Sequence, residues 1–296
     1  MLVTAGALSI AAAAYQAPQG ALSPAALEAT KIEKVKENLY MITGSSPANR
    51  DSFSGGNTAV FITDTGVVLV DTKLAGWGQV ILDKVKTVTN KPITTIINTH
   101  THGDHTGSNS FFSPTVDIVA HENTKTNMEK MDAFKGENAK FLPKRTFKDK
   151  LTLGSGRNEI DLYYFGRGHT NGDSWIVFPA LRVMHTGDMF AWKDAPTLDA
   201  NNGGSGVEYA ATIGKALSTV KNVDTLIVGH SPLRTIPELR EYQQFMTDFV
   251  EAARQAKTAG KSVDDAAASI NLNAKYKGYD NQRYKAALQV VYNELK

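Results

Sequence analysis

The chain has 296 residues, of which 42% are hydrophobic and 21% are charged, and its formal net charge at pH 7 is +2. This composition is typical of a globular protein and excludes a disordered, collagen-like or coiled-coil chain. The near balance of charge gives no global field that would attract nucleic acid or an anionic membrane. Cysteine is absent, which excludes disulfides, thiolate zinc sites, iron–sulfur clusters and a cysteine nucleophile. Any metal site must therefore be built from His, Asp and Glu.

The N-terminus begins with an apolar run over residues 2–14. The run is too short to cross a bilayer, which needs about 20 residues. Small residues at its end are typical of an export signal, although the usual charged start is missing. We therefore predict a signal-like segment and linker over residues 1–30 and a periplasmic or secreted protein; the alternative is an Ala-rich tail. Protein from the native host that retains residue 1 would contradict export.

Strand and helix patterns alternate from residue 31 onwards and predict a single α/β domain over 31–296 with a helical C-terminal extension. Short apolar runs predict strands at residues 39–43, 58–62, 67–70, 93–97, 116–119, 159–165, 174–178, 181–184 and 225–228. Helical spacing predicts helices at residues 76–89, 123–135, 208–220 and 237–257, and further helix from residue 262. The alternating charges of 31–37 and the basic residues between 140 and 150 favour solvated segments.

A dense histidine motif follows the fourth predicted strand. His100, His102, Asp104 and His105 fall within six residues. Because residues i and i+2 share a face of a strand, we expect His100 and His102 to point the same way. Gly103 lets the chain turn without a Cβ in the way, and Asp104 and His105 begin the next helix. Such a cluster can present two adjacent metal sites.

Three further candidates occupy equivalent places along the chain. His169 lies in Gly-His-Thr, Asp188 in Thr-Gly-Asp and His230 in Gly-His, each shortly after a predicted strand. The carboxyl ends of strands are where α/β sheets place their sites. A scatter of polar loop residues would not put five of the seven histidines at strand ends beside small residues.

These motifs, in this order over residues 38–250, resemble the metallo-β-lactamase superfamily. The resemblance implies a four-layer αβ/βα sandwich with its site at one edge of two packed sheets. It also implies two zinc ions. The first would be bound by His100, His102 and His169, the second by Asp104, His105 and His230, with Asp188 as the bridge.

The same resemblance implies a hydrolase that opens a cyclic amide, lactone, ester or thioester with a metal-bound hydroxide, which Asp104 orients as the catalytic residue. Some β-lactamases of the superfamily have Cys or Ser in place of Asp188. An Asp there resembles glyoxalase-II-type thioesterases, lactonases and phosphodiesterases, whereas residues 168–179 are more similar to β-lactamase-like members. The all-nitrogen-and-oxygen ligand set leaves Mn²⁺ or Fe²⁺ as alternatives to Zn²⁺.

Other functions remain open at this point. One is a phosphodiesterase or nuclease of the same fold, and another is an iron-dependent oxidoreductase similar to persulfide dioxygenases. A non-catalytic binding module is less favoured because no ligand is lost. We expect a small-molecule substrate, no nucleic acid and no membrane span.

Residues near the motifs have two interpretations each. His121 and His185 are predicted to pack or to support ligands rather than to bind metal. Asp173 is expected either to orient a ligand or to cap a strand.

The surrounding loops also allow two interpretations. The long loop 44–57, with Phe53, is a flap or an ordinary connection. Phe190, Trp192 and Lys193 either line the pocket, with Lys193 meeting a substrate carboxylate, or pack in the core or at the surface. The loop 199–205 holds an anion or only caps a helix.

Overall fold

The structure, a computed structural model, describes residues 22–296. The predicted signal-like run at 2–14 lies outside the described residues. Within the predicted linker, Pro24–Ala29 forms a short helix, α1, which a proline in its first turn favours. Its Ala26 packs against Leu74 and Trp77, so the end of this segment contacts the domain.

The first sheet has seven strands, and their order in the sheet is their order in the chain. The strands are β1 Ile32–Lys36, β2 Leu39–Ile42, β3 Thr58–Ile62, β4 Val67–Val70, β5 Ile93–Ile97, β6 Asp117–His121 and β7 Arg145–Phe147. Strands β1 to β4 pair antiparallel, whereas β4 to β7 pair parallel. The carboxyl ends of β4, β5 and β6 therefore lie at the same edge.

The second sheet has six strands in the order β13-β12-β11-β10-β9-β8. The strands are β8 Lys150–Leu153, β9 Ile160–Tyr164, β10 Ser174–Phe178, β11 Val183–His185, β12 Thr225–Ile227 and β13 Arg234–Thr235. Strand β10 is antiparallel to both β9 and β11, and β11 is parallel to β12. Strands β9, β11 and β12 therefore end at one common edge.

Helices cover the outer face of each sheet. The remaining helices are α2 Gly78–Lys86, α3 Gly103–Thr106, α4 Glu122–Met128, α5 Gly206–Thr219, α6 Ile236–Thr258, α7 Val263–Ser269 and α8 Tyr284–Glu294. Helices α2 and α4 bury Ile81 and Met128 against the first sheet, and α5, α6 and α8 cover the second. Between the sheets lies a core that includes Phe61, Ile176 and Phe178. The predicted four-layer αβ/βα sandwich is confirmed.

All nine predicted strands are present, but four short strands were not predicted. Residues 31–37, expected to be solvated, contain β1, and the basic stretch contains β7 and the start of β8. These segments are mostly exposed, as expected, but the strands within them were not predicted, because strands at or near a sheet edge carry charged residues and show little apolar alternation. The predicted helix at 123–135 ends as an α-helix at Met128.

Among residues 22–296, no helix combines the length and the hydropathy that a membrane span needs.

Candidate metal centre

The seven side chains predicted as metal ligands meet at the edge where β5, β9, β11 and β12 end. They form three overlapping groups in which one ligand atom of each residue lies within 4.8 Å of the others. The groups are His100, His102 and His169; His100, His105 and Asp188; and Asp104, His105 and His230. The sequence-predicted grouping thus recurs in space, with Asp188 next to His105 at 3.3 Å and next to His169 at 3.6 Å.

The histidine motif reaches this edge by a route that differs from the prediction. Strand β5 ends at Ile97, so His100 and His102 lie in the loop that leads into α3 rather than on a strand. Their rings still converge, with centroids 4.9 Å apart. A Cβ at Gly103 would meet no other atom within 4 Å, so packing within the chain does not require glycine there.

Two other glycines do bring the backbone against the cluster. A Cβ at Gly229 would lie 1.9 Å from the Asp188 Oδ1 atom, and one at Gly56 would lie 2.2 Å from His105 Cε1. Lys73, which is buried, donates from Nζ to the carbonyl of Gly56 at 2.8 Å. Burial lowers the pKa of Lys73 to about 7. The end of the loop 44–57 is therefore seated on His105.

Each of the five histidines at the centre has one ring nitrogen held by an outer acceptor. The pairs are His100 Nδ1 with Thr99 Oγ1 at 2.9 Å, His102 Nε2 with Asp199 Oδ2 at 2.7 Å, His105 Nδ1 with Asp71 Oδ2 at 2.7 Å, His169 Nδ1 with Thr197 O at 2.6 Å, and His230 Nδ1 with Ser45 O at 3.0 Å. An outer partner of this kind sets the tautomer and turns the other nitrogen inward.

When the rings are neutral, their inward nitrogens face one another as lone pairs. The Nε2 atom of His169 lies 2.8 Å from Nδ1 of His102, and Nε2 of His105 lies 3.2 Å from Nε2 of His230. Because the outer nitrogens are the donors, both atoms of each neutral pair are acceptors. Such pairs need a proton or a metal ion between them, and the donor set therefore fits a cation.

His100 and Asp188 supply the clearest test of this fit. The Thr99 hydroxyl donates to Asp71 at 2.7 Å and so accepts the Nδ1 proton of His100. The other nitrogen of His100, Nε2, is buried with no hydrogen-bond partner, as is Oδ1 of Asp188. Unpaired buried polar atoms are costly. A metal ion at the centre would satisfy both.

Burial and charge separate the two ends of the centre. Burial lowers the pKa of His169 to about 4, with the charge of His102 acting in the same direction. It holds the pKa of His100 well below its usual value. These two rings are therefore neutral near pH 7, which is the form that binds a metal.

At the other end of the centre, the carboxylates raise the histidine pKa values by more than burial lowers them. Burial by itself would lower the pKa of His230, but the charges of Asp188 and Asp104 and their hydrogen bonds raise it to about 9. The same carboxylates raise the pKa of His105 well above its usual value. In return, both histidines hold the pKa of each carboxylate below its usual range against the effect of burial.

Sequence reasoning missed Asp71, which directly follows β4 at the same edge. It is fully buried and accepts three hydrogen bonds, from the Thr99 backbone and hydroxyl and from His105 Nδ1. Its backbone has a left-handed φ of 66°. The available signal was a lone Asp immediately after a buried strand.

Asp199 was considered only as part of a loop. Its carboxylate accepts from the backbone of Asn202 at 3.1 Å, and Ser205 caps α5 through the Glu208 N–H. The capping interpretation of 199–205 is therefore confirmed. Asp199 in addition fixes His102, a role that no local pattern indicates.

The supporting histidines and Asp173 have defined roles. His121 caps α4 by accepting from Asn123, and its ring stacks on Tyr164 at 4.0 Å. His185 accepts from the Gly187 backbone and donates to a carbonyl, so neither of its nitrogens faces the centre. Asp173 accepts two bonds from Thr170, the residue after His169. It therefore orders the ligand loop.

The rim beside His230 is aromatic. The rings of Phe53 and Trp192 lie 5.9 and 5.5 Å from the His230 ring, so the loop 44–57 borders the centre. Lys193 instead pairs with Glu238 and Glu241 at 3.3 and 3.7 Å. This agrees with the packing interpretation of Lys193.

Comparisons with known proteins agree with this geometry. The profile of the metallo-β-lactamase superfamily matches residues 52–230. Metallo-β-lactamase type 2 of Elizabethkingia meningoseptica is 26% identical over 229 residues, which cover 72% of this chain and 86% of that protein. The alpha subunit of a 2,4-dinitroanisole O-demethylase from Nocardioides sp. (strain JS1661) is 32% identical over 132 residues, 42% of this chain and 38% of the relative.

Among solved structures, the DIM-1 metallo-β-lactamase shares the fold, with a TM-score of 0.61 at 22% identity over 74% of this chain and 97% of that one. The family match spans more than half of the sequence, which confirms the resemblance seen in the motifs. The chain belongs to the metallo-β-lactamase superfamily and, like its β-lactamase relatives, is a hydrolase.

Proposed function

We propose that this hydrolase works with two metal ions, with Zn²⁺ as the native metal, and that it opens a cyclic amide, lactone, ester or thioester. The observation that carries the proposal is the complete set of inward-facing metal donors, five histidines and two aspartates. Each histidine is also hydrogen-bonded to a partner outside the centre. The first ion is assigned to His100, His102 and His169, the second to Asp104, His105 and His230, and Asp188 is assigned to both.

When bound, the two ions would acidify water and polarise the carbonyl that is attacked. The chain itself supplies orientation and proton handling. The Asp104 carboxyl, whose Oδ2 lies 3.3 Å from His230 Nε2, is 19% exposed, whereas that of Asp188 is 6% exposed. Asp104 is therefore the carboxylate that is accessible to solvent and can align the attacking water, and Asp188 is the enclosed one.

The rigid outer contacts explain how the chain keeps its donors in place between turnovers. Asp71 holds His105, Asp199 holds His102 and Ser45 holds His230. Groups held in this way lose little reorganisation energy when the reaction begins. The preference for zinc follows from imidazole and carboxylate donors, although the same donors accept Mn²⁺ or Fe²⁺.

The substrate class rests on the relatives and the rim. The β-lactamase relatives favour a cyclic amide, and Phe53 and Trp192 offer apolar surface beside His230 for the part of the substrate next to the scissile bond. The O-demethylase relative adds an activated aryl ether as a further class to test. We also propose export to the periplasm or medium, which N-terminal sequencing of the native protein would test.

The proposal is tested by metal analysis together with a substrate panel. Metal-free protein is loaded with Zn²⁺, counted by elemental analysis, and assayed with nitrocefin, an acyl-homoserine lactone, a thioester, 2,4-dinitroanisole and bis-p-nitrophenyl phosphate. We expect two ions per chain and turnover of at least one carbonyl substrate. Asp132→Ala, at an exposed ion pair with Lys135, is the control for variants of the centre.

Three results would contradict the proposal. Fewer than about one metal per chain at neutral pH would favour a binding module. Turnover of the phosphate diester alone would favour a phosphodiesterase. Native iron combined with persulfide oxidation would favour the oxidoreductase alternative.

A further inference from the structure

The wall of the candidate centre beside His230 includes a residue from outside the family-matched region. Arg283 lies just before α8, in the C-terminal segment (residues 259–296), whereas the family profile ends at residue 230. Its guanidinium carbon lies 3.8 Å from the centroid of the Trp192 ring. The Trp192 ring in turn lies 5.5 Å from the His230 ring. Arg283 of the C-terminal segment therefore contacts an aromatic ring that neighbours the candidate ligand His230.

Two directional contacts act on the Trp192 indole. Its indole N–H donates to the carbonyl of Ala195 at 3.2 Å, which fixes one edge of the ring. The planar guanidinium of Arg283 covers a face of the ring, a geometry that stabilises both groups. Losing the guanidinium would leave that face open.

Arg283 is itself anchored to both loops that border His230. Its backbone N–H and Nη1 donate to Asp194 Oδ2 at 3.2 and 3.4 Å, and Nη2 donates to Ser46 Oγ at 3.3 Å. The Asp194 side chain is only 1% exposed, and a buried carboxylate requires such a partner. Ser46 adjoins Ser45, whose carbonyl holds His230.

We propose that Arg283 is a positioning residue that fixes the Trp192 indole as a substrate-facing wall beside His230. Through this contact the C-terminal segment sets how tightly the enzyme binds the apolar group next to the scissile bond. The role in substrate binding rests on the proposed function. The role in placing Trp192 does not, and the two are tested separately.

Fluorescence tests the placement of Trp192 without any need for activity. The chain has three tryptophans, and Trp77 and Trp175 are 2% and 0% exposed. Quenching by acrylamide therefore reports mainly on Trp192. In zinc-loaded Arg283→Met we expect stronger quenching than in the wild type.

Arg283→Lys is the second variant, because it keeps a charge for Asp194 while removing the planar fork. It should also show increased quenching, with normal thermal stability and metal content. Lys285→Ala, at an exposed pair with Asp264 in the same segment, is the matched control and should match the wild type.

Kinetics test the effect on the substrate. For whichever panel substrate the enzyme turns over, Arg283→Lys should raise KM by about threefold, as expected for the loss of one stacked guanidinium, with kcat within about twofold. Unchanged quenching in both variants would overturn the placement of Trp192. Increased quenching with an unchanged KM would overturn the role in substrate binding. If no panel substrate is turned over, the proposed function fails, and quenching still decides the placement.

Discussion

The two ends of the candidate centre offer the same kind of histidine in opposite electrostatic settings. His100 and His169 are buried beside other histidines, and their pKa values are lowered. His105 and His230 are buried beside Asp104 and Asp188, and their pKa values are raised. In the metal-free protein the first end therefore presents two neutral rings and a third, His102, whose pKa is raised against the effect of burial by its hydrogen bond to Asp199. At the second end, protons occupy the place of a metal.

This difference explains how the metal-free protein accommodates two buried carboxylates. The protons on His105 and His230 compensate the charges of Asp104 and Asp188, which would otherwise be costly to bury. The three-histidine end has no ligand carboxylate of its own and needs no such compensation. Binding of the second ion thus displaces protons from two rings, His105 and His230, whereas binding of the first displaces at most the proton on His102.

The largest effect is expected from removal of Asp104, the more exposed of the two carboxylates at the centre. Asp104→Ala should lower kcat on the order of a thousandfold, because the variant loses both a candidate ligand and the group that aligns water. Steady-state kinetics on zinc-loaded protein measure it, together with a metal count. Asp132→Ala should keep wild-type kcat. Unchanged turnover in Asp104→Ala would refute the assignment of the site.

The next effect concerns the support of the charged end. Asp71→Ala should lower the free energy of unfolding by about 3 kcal/mol, because it leaves three buried donors without an acceptor. Urea unfolding of metal-free protein measures this loss. Asp64→Ala, which removes an exposed partner of Arg157, should change stability by less than about 1 kcal/mol. An equal loss of unfolding free energy in both variants would show that the hydrogen bonds of Asp71 stabilise the protein no more than an exposed ion pair does.

The comparison also predicts opposite pH trends with and without metal. The folded pKa of His230, about 9, exceeds its unfolded value of about 6.5. Its contribution to stability is therefore complete below about pH 6.5 and is lost as the pH rises through 9. Relative to His230→Ala, the metal-free wild type should therefore lose thermal stability over this range, while zinc should stabilise the wild type increasingly, since the ion must displace fewer protons.

Single-site variants isolate the two ends for this test. His102→Ala retains the charged end and His230→Ala retains the three-histidine end. We expect zinc affinity to rise more steeply with pH in His102→Ala, by up to about a hundredfold per pH unit if two protons are displaced. If zinc affinity rose equally steeply with pH in the two variants, the electrostatic difference between the two ends would be refuted.

The smallest effect is expected at the loop that carries His169. Burial raises the pKa of Asp173 to about 7, above its unfolded value, so its contribution is complete below about pH 4 and is lost as the pH rises through 7. Asp173→Asn should therefore be more stable than the wild type at pH 8, by about 1 kcal/mol, and equal to it near pH 4. Thermal unfolding in EDTA at both pH values measures the difference. A variant that is less stable at pH 8 would contradict this assignment.

The contrast between the ends extends to what could be predicted from sequence. The motif from His100 to His105 is contiguous, so its chemistry is visible in one short stretch. Asp188 and His230 were found because each follows an apolar strand beside a glycine. Asp71 and Asp199 are single carboxylates without a local pattern, and their function arises only from contacts with His105 and His102. A sequence does not display such contacts.

The edges of the sheets show the same limit in the fold. Every strand with an apolar run was predicted, because burial on one or both faces requires such residues. Strands β1, β7 and β8 carry charged residues and short runs, and pairing with a neighbour rather than composition makes them strands. Arg283 is a similar case, because its sequence context indicates only the start of a helix.

The amino-acid sequence by itself determined the types of donor at this centre, since it contains no cysteine and places His and Asp after successive strands. Its apolar periodicity also determined the alternation of strands and helices, because that periodicity follows directly from burial, whereas the four-layer arrangement was implied by the resemblance to the superfamily. The tertiary structure decided which ring nitrogen faces inward, which histidines hold protons, and which loop and C-terminal residues form the wall. These properties depend on distances of a few ångströms between segments remote in the chain, and packing of the two sheets creates those distances.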